Sequence, residues 1–330
     1  MSERKNLPVQ IIGGGLAGLT AAIKLTDYDR QVILYDQPGE PDSAECYRSV
    51  HTTQFNLDKT CSYLDLDITG CFERVESETV YLYGRRITKS SRAYACERGN
   101  AIGSLDHTLK TIALKKGVVI NYQPVATVER LSDDKTILAT GLNQSAYQLL
   151  NIGHTELTGY EARMASSKRV TLTSFKDSYT GRDFAYIASK NGIVYTLLFS
   201  RNGVDLKNLV DYQDHLRQTT GLIFPRWSQI RGCVPLEHHL FKNDYILAGT
   251  LSGVIDPFFL SGVVGAMVSG RIAAMAVIDP PNALREHQRF VKNFRIKQHL
   301  YQLMQSRLLP AGAKIIVIFL HTLFRDVGKL

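Results

Sequence analysis

Two short apolar runs near the start of the chain flank a stretch in which apolar residues recur at helical spacing. Leu7 to Ile12 and Gln31 to Tyr35 are predicted to be buried strands, and Leu16 to Leu25 is predicted to be a helix. This strand–helix–strand order within about thirty residues predicts a βαβ unit. The alternation of strand and helix signals favours an α/β fold.

The next elements follow a loop and a mixed segment without strong periodicity. Thr79 to Tyr83 and Arg86 to Thr88 flank Gly84 and predict a hairpin. Ser104 to Lys116 has helical spacing and stops at a glycine, which is typical of a helix C-terminus. Val118 to Tyr122 predicts a further strand.

The pattern changes between about residues 159 and 239, where short β-type runs dominate and predict a separate antiparallel sheet that acts as a substrate-side lid. The clearest runs are Arg169 to Thr173, Phe184 to Ile187 and Ile193 to Phe199. A buried strand at Tyr245 to Ala248 and a small-residue helix at Gly262 to Ile278 then return to the first pattern. We therefore expect a discontinuous, Rossmann-like nucleotide-binding domain at 1–62, 93–158 and 240–284, a β-rich substrate domain at 63–92 and 159–239, and a C-terminal helical segment at 285–330.

The net charge is +8, and much of it lies near the C-terminus. Between residues 285 and 314, Glu286 is the one acidic residue beside seven basic ones: Arg285, Arg289, Lys292, Arg295, Lys297, Arg307 and Lys314. The sequence has no basic face interleaved with aromatic residues, so a nucleic-acid partner is not expected. The basic C-terminal segment instead favours binding to an anionic membrane surface. The tail from Leu308 to Phe324 has two interpretations, an interfacial membrane helix or a helix packed on the body.

The five cysteines are odd in number and include no C-x-x-C pair, so neither a disulfide framework nor a structural zinc site is expected. The adjacent His238 and His239 would face opposite ways on a strand, and no other histidine spacing predicts a metal. The first residues contain no signal-peptide core, and no apolar run is long enough to span a bilayer. We expect a cytoplasmic protein that is peripheral to the membrane if the basic segment binds lipid.

A glycine fingerprint, Gly13-x-Gly15-x-x-Gly18, joins the first strand to the first helix. The first glycine permits the tight turn, the second lets a pyrophosphate approach the backbone, and the third lets the helix pack against the strand. Leu16 and Ala17 supply the free N–H groups of the helix start. Asp36, at the end of the second strand, is placed to bind a ribose hydroxyl. This acid disfavours a 2′-phosphate but does not distinguish FAD from NAD.

A second glycine-rich strand–turn–helix makes that distinction. Gly249 and Thr250 follow a strand, and Gly262 and Val263 open a helix rich in glycine and alanine. Small residues let a helix start lie against a ligand. A simple NAD dehydrogenase is not expected to repeat this arrangement late in its chain, so FAD is the predicted cofactor.

Three stretches together resemble the FAD-dependent geranylgeranyl reductase family, within the hydroxylase-like flavoproteins: Arg98 to Leu109, Phe184 to Ile187, and Gly249 to Ala274. The resemblance implies that Arg98 lies near the cofactor. It also implies reduction of isoprenoid double bonds by a flavin that an external donor recharges. No second dinucleotide fingerprint is present, so NAD(P)H or ferredoxin would bind only transiently.

The chain departs from that family at three places, which predicts a divergent branch. Thr250 stands where the family has an acid after the glycine, and Thr140-Gly141 stands where an Asp-Gly pair is expected. Residues 256–262 partly replace the proline–glycine loop over the flavin.

Several residues are candidates for the reaction itself. The resemblance places Cys46 close to the flavin, where a thiol could donate a proton, although an ordinary semi-buried cysteine also fits. Phe258, Phe259 and Leu260 fall on the turn expected over the flavin, and Tyr186 lies on the aromatic strand of the resemblance, so these four are predicted to line an apolar substrate pocket.

The leading hypothesis is an FAD-dependent oxidoreductase that reduces or oxidises a C–C bond of a small apolar, isoprenoid substrate. A flavin monooxygenase that hydroxylates an aromatic or polyketide-like substrate is the alternative, because the same scaffold serves both. A non-catalytic FAD-binding protein is a third hypothesis, suggested by the missing acid at Thr250.

Overall fold

The computed structural model describes residues 7–37, 48–122, 136–168, 170–201 and 203–305. The strands in these ranges are β1 Val9–Ile12, β2 Val32–Asp36, β3 Arg48–Gln54, β4 Phe72–Arg74, β5 Ser77–Leu82, β6 Arg85–Ser90, β7 Ala93–Gly99, β8 Val119–Tyr122, β9 Thr136–Leu138, β10 His154–Ala165, β11 Leu172–Lys176, β12 Ala185–Lys190, β13 Ile193–Ser200, β14 Ser228–Pro235, β15 Phe241–Lys242 and β16 Tyr245–Leu247. The α-helices are α1 Leu16–Thr26, α2 Leu57–Leu64, α3 Leu105–Lys115, α4 Gln144–Leu149, α5 Leu206–Thr220, α6 Val263–Ile278 and α7 Pro280–Gln305.

The first sheet has the strand order β15-β16-β9-β1-β2-β8, and all its pairs are parallel except the edge pair β15–β16. The predicted βαβ unit is formed by β1, α1 and β2, which confirms a Rossmann-like core. The small residues of α6 let it pack on α1 almost backbone to backbone. A Cβ on Gly270 would collide with the carbonyl oxygen of Ala17. The late small-residue helix is therefore part of the nucleotide-binding half, as its sequence predicts.

The second sheet has the order β14-β10-β13-β12-β11-β5-β6 and is antiparallel except between β11 and β5. The predicted hairpin supplies β5 and β6. Helix α5 covers one face of this sheet through Tyr212 and Leu216, which pack on Phe175. The strand β10 begins at His154, before the expected domain boundary at 158/159. A single long strand therefore extends across that boundary.

A small third sheet, β3-β7-β4, lies against the second sheet, with β3 and β7 in contact with β12. It includes residues of the segment that shows no strong periodicity in the sequence. In β3 the buried and part-buried residues do not alternate along Arg48–Gln54, so the sequence shows no clear strand periodicity there.

Helix α7 contacts both halves of the fold. The hydroxyl of Tyr63 on α2 donates to Glu286 near the start of α7. Farther along α7, the ring of Tyr301 lies 4.0 Å from the guanidinium of Arg201, which directly follows β13 of the second sheet. Within the described ranges, no helix is long and apolar enough to cross a membrane. The tail from 308 to 324, and with it the choice between a membrane helix and a packed helix, lies outside the described residues.

Candidate flavin site and substrate cavity

The turn between β1 and α1 has the geometry that the glycine fingerprint predicts. Gly13 adopts a φ of +110°, and a Cβ there would collide with the carbonyl oxygen of Ala139 at the end of β9. A Cβ on Gly18 would collide with the carbonyl oxygen of Gly13, so only glycine lets α1 start beside β1. At Gly15, by contrast, a Cβ would meet no atom of the described residues within 4 Å. The helix start, which lacks a side-chain cap, therefore faces open space within the part of the chain that the structure describes.

Asp36 is fixed at the edge of this turn. Its Oδ1 accepts hydrogen bonds from the backbone N–H groups of Gly14, at 3.1 Å, and Gln37, at 2.9 Å. A Cβ on Gly14 would collide with the same carboxylate. Gly14 is therefore a third essential small residue of the turn, which the fingerprint alone does not identify, although the run of three glycines signals it. A carboxylate has about four acceptor positions, so capacity remains for a ribose hydroxyl.

Thr140 lies at the carboxyl end of β9, next to the turn. Its backbone nitrogen would be 3.2 Å from a Cβ on Gly13. Its hydroxyl is buried and has no hydrogen-bond partner among the described residues. A buried hydroxyl without a partner is costly, so a polar ligand group here would be stabilised. This hydroxyl and the open space before Gly15 both fit a bound adenine dinucleotide.

The second glycine-rich segment reaches the same region. Gly249 adopts a φ of +70°, and a Cβ there would lie 3.0 Å from the Cβ of Ala17 in the first turn of α1. The hydroxyl of Thr250 would lie 3.5 Å from a Cβ on Gly262, which precedes Val263 at the uncapped start of α6. The segment from Gly249 to Gly262 therefore lies close to the starts of both helices, and the nine predicted residues on these two turns come together.

Arg98 is held in an ion pair at the start of α3. Its Nε donates to Asp106 Oδ2 at 2.5 Å and its second nitrogen donates to Oδ1 at 2.8 Å. Burial raises the pKa of the Asp106 carboxyl, but the Arg98 charge and hydrogen bonds outweigh it, so the pKa is lowered overall. A contact between Arg98 and a cofactor stays a prediction.

A cavity of about 360 Å³ lies between one face of the second sheet, strand β3 and the turn at 255–261. Its walls are largely apolar, which is typical of a small-molecule site. Tyr186, Phe259 and Leu260 line it, but Phe258 does not. The Phe258 ring instead packs edge-on against Tyr301 of α7, with ring centroids 5.4 Å apart. The turn therefore directs its two neighbouring aromatic side chains to different surroundings.

His51 of β3 also lines the cavity. Burial, reinforced by the nearby Arg98 charge, lowers the pKa of His51 to about 3, so its imidazole is neutral at physiological pH. Its Nε2 shares a hydrogen bond with the Ser49 hydroxyl at 2.9 Å. The neighbouring Arg48 is paired with Glu97 at 2.5 Å. His51 therefore carries no positive charge into the cavity, and the Arg48 guanidinium is already paired.

Cys46 lies outside the described residues. The four cysteines that the structure describes are free, and none of them lines the cavity: Cys61, Cys71, Cys96 and Cys233. Burial is the largest influence on each thiol and raises its pKa, that of Cys96 to about 12. These thiols are therefore protonated and poorly nucleophilic at neutral pH.

A polar pair in the cavity, Glu161 and Tyr195, is not among the residues predicted from the sequence. Both line the cavity, and the Tyr195 hydroxyl donates to Glu161 Oε2 at 2.8 Å. The signal for Tyr195 is its alternation with Leu197 and Phe199, which also face the cavity. Glu161 carried no comparable signal because β10 has no regular alternation of apolar and polar residues.

Comparison with known proteins agrees with this architecture. Residues 7–201, more than half of the chain, match the family model described as pyridine nucleotide-disulphide oxidoreductase. No curated protein sequence matches the chain.

Solved structures extend the likeness over nearly the whole chain. A geranylgeranyl bacteriochlorophyll reductase-like protein from Thermoplasma acidophilum superposes with a TM-score of 0.70 at 16% identity, over 94% of this chain and 90% of that one. A flavin-dependent halogenase from Xanthomonas campestris gives a TM-score of 0.65 at 14% identity, over 98% and 80%. The p-nitrophenol 4-monooxygenase of Pseudomonas putida gives 0.62 at 13% identity, over 97% and 94%.

These structures share the fold of this chain at low identity, and the family match covers its glycine turn and Asp36. Both agree with a site whose open helix starts, fixed Asp36 and unpartnered Thr140 hydroxyl fit a dinucleotide. The chain belongs to the pyridine nucleotide-disulphide oxidoreductase family and is a divergent, FAD-dependent oxidoreductase.

Proposed function

We propose that this flavoenzyme reduces a C–C double bond of an apolar, isoprenoid-like substrate held in the cavity. The observation that carries the proposal is the turn at 255–261. Its residues line the apolar cavity on one side, and the turn leads directly into Gly262 and the uncapped start of α6 on the other. A substrate in the cavity would therefore lie next to the cofactor's binding region.

When bound, FAD supplies the hydride-transfer or oxygen-activating chemistry. The chain contributes the surroundings. Apolar side chains such as Leu157, Leu197 and Ile255 exclude water from the substrate. Tyr195, hydrogen-bonded to Glu161, is a described group that can hold a proton at its hydroxyl inside the cavity. Cys46 remains the other candidate proton donor.

A flavin monooxygenase acting on an aromatic substrate is the second candidate. It is favoured by the four aromatic rings on the sheet wall of the cavity, because ring faces and edges pack well against an aromatic ligand: Phe184, Tyr186, Tyr195 and Phe199. The described cysteines give no support to disulphide chemistry, since their thiol pKa values are raised and none lines the cavity.

Two partners are part of the proposal. The electron donor, NAD(P)H or ferredoxin, would bind transiently. An anionic membrane surface would bind α7, on which four exposed basic residues are spaced along one side: Arg285, Arg289, Lys292 and Arg295. Lys297 takes no part in that surface, because it is buried.

The test is an anaerobic reduction of the FAD-loaded protein with dithionite or NAD(P)H, followed by mixing with a candidate isoprenoid or with oxygen. Reoxidation by the isoprenoid without oxygen supports the reductase. Reoxidation by oxygen that is accelerated by an aromatic substrate, with the substrate hydroxylated, supports the monooxygenase. Bound FAD that no donor reduces would support the non-catalytic alternative.

A further inference from the structure

One end of the cavity combines a carboxylate with three aromatic rings. Glu161 on β10 lies opposite Leu197 on β13, which lies opposite Tyr186 on β12, so these side chains share the cavity face of the sheet. Tyr195 donates its hydroxyl to Glu161, and its ring centroid lies 6.0 Å from that of Tyr186 and 6.2 Å from that of His51.

The ion-pair partner of Glu161 lies outside the cavity. The Glu161 side chain is only 13% exposed, and it pairs with Arg163 at 3.8 Å. Arg163 is more exposed and does not line the cavity. Arg231 does line it, but it pairs opposite Thr158, three residues and about 10 Å along the strand from Glu161. His51, with its pKa lowered by burial to about 3, adds no positive charge.

The other two carboxylates of the cavity have partners of their own. Asp256 forms a buried ion pair with Lys297 at 2.6 Å. Glu78 on β5 lies 3.4 Å from the Lys89 ammonium and accepts a hydrogen bond from the Ser174 hydroxyl at 3.4 Å. Strand β5 is four strand positions from β10, each of about 4.8 Å, so a single ligand group cannot reach both Glu78 and Glu161. Glu161 is therefore the distinct polar feature at its end of an otherwise apolar space.

A buried carboxylate beside aromatic faces is the surrounding that stabilises an alkylammonium group, through charge pairing and cation–π attraction. We propose that the substrate carries a positively charged nitrogen on an apolar body, and that Glu161, Tyr186 and Tyr195 bind this nitrogen. The inference rests on the proposed function because it names the substrate class of the same cavity. It makes Glu161 a residue that determines specificity.

Three probes with one apolar body test it: naphthylethylamine, naphthylethanol and naphthylacetate, titrated calorimetrically into the FAD-loaded protein near neutral pH. The amine is expected to bind at least tenfold more tightly than the alcohol, and the acetate most weakly. Glu161→Gln should reduce amine affinity to that of the alcohol and leave alcohol affinity unchanged. Glu156→Gln is the matched control, because Glu156 is exposed on the same strand and does not line the cavity.

Equal binding of amine and alcohol, an amine preference that survives Glu161→Gln, or no binding of any probe would overturn the inference. The flavin absorbance of the same samples separates this result from the proposed function. Protein that holds reducible FAD but shows no amine preference overturns only the substrate class. Protein without FAD that still prefers the amine overturns the flavoenzyme proposal and leaves the amine site standing.

Discussion

Asp256 and Lys297 form a buried ion pair at 2.6 Å that joins the cavity turn to helix α7. The same carboxylate accepts the backbone N–H groups of Phe258 and Phe259, at 2.9 and 3.0 Å. One buried aspartate therefore shapes the turn between cavity and flavin site, and a lysine 41 residues later holds that aspartate in place.

Lys297→Met should destabilise the protein by about 3–5 kcal/mol, because it leaves the Asp256 charge buried without a partner. Urea unfolding measures the loss. Lys292→Met is the control, since Lys292 is exposed on the same helix and should change stability by less than about 0.5 kcal/mol. Equal effects of the two substitutions would show that the buried pair does not hold the turn.

Gly15→Ala and Gly14→Ala should separate cofactor binding from folding. A Cβ on Gly15 enters open space, so this variant should fold normally and bind FAD at least tenfold more weakly, because the methyl group occupies the approach of the pyrophosphate. A Cβ on Gly14 collides with Asp36, so that variant should lose stability as well. Thermal unfolding and FAD titration of both variants measure the difference. Full FAD affinity in Gly15→Ala would contradict the assignment of the site.

Thr140→Val should leave the FAD-free protein equally or more stable, because it removes a buried hydroxyl that has no hydrogen-bond partner among the described residues. The FAD-loaded protein should lose about 0.5–1.5 kcal/mol of binding free energy if the hydroxyl bonds to the cofactor. The free energy of unfolding, measured with and without FAD, tests both the predicted stability of the FAD-free variant and its predicted loss of FAD binding. A variant that destabilises the FAD-free protein while binding FAD normally would assign the hydroxyl a purely structural role.

Acid should destabilise the protein as the pH falls from about 6.5 to about 4. Burial lowers the pKa of His238 and of His287 to about 4, and Arg295 and His239 lower both further. The unfolded chain, with histidines near pKa 6.5, binds more protons than the folded chain in this window, so stability is lost as pH decreases.

The variant His287→Phe tests the source of this pH dependence. His287 is 2% exposed and its Nε2 has no partner among the described residues. The variant should therefore lose less stability than the wild type between pH 6.5 and 4. An unchanged slope would attribute the acid sensitivity to other groups.

Binding of α7 to an anionic surface is testable with vesicles. Replacing Arg285, Arg289 and Lys292 by glutamine should abolish co-sedimentation with phosphatidylserine vesicles at low salt, while the unfolding transition stays unchanged because these side chains are exposed. Vesicles of phosphatidylcholine alone should bind neither protein. Binding of the variant equal to that of the wild type would exclude this face of α7.

The nucleotide-binding half could be predicted from the sequence, because the local backbone geometry requires its glycines. A Cβ on Gly13 or Gly18 would collide with a backbone carbonyl oxygen, so the glycine fingerprint predicts this turn directly. The late helix at 263–278 is recognisable for the same reason, since its small residues record its close packing on α1.

The cavity is harder to predict from the sequence because its lining residues come from eight strands and three loops. Helix α5, within the segment expected to be β-rich, shows only moderate apolar spacing, with Leu209, Tyr212 and Leu216 buried. The placement of Phe258 depends on Tyr301, which lies 43 residues later and gives no local signal. The role of Glu161 likewise could not be predicted locally, because it depends on the hydrogen bond from Tyr195 on the neighbouring strand.

The central claim is tested most directly by the visible spectrum of the purified protein and of its Gly15→Ala variant, followed by denaturation and identification of the released cofactor. The account predicts that the wild type is yellow and releases about one FAD per chain, as expected for a single dinucleotide site, and that the variant is pale but equally folded. Colourless wild-type protein that FAD cannot reconstitute would contradict the account.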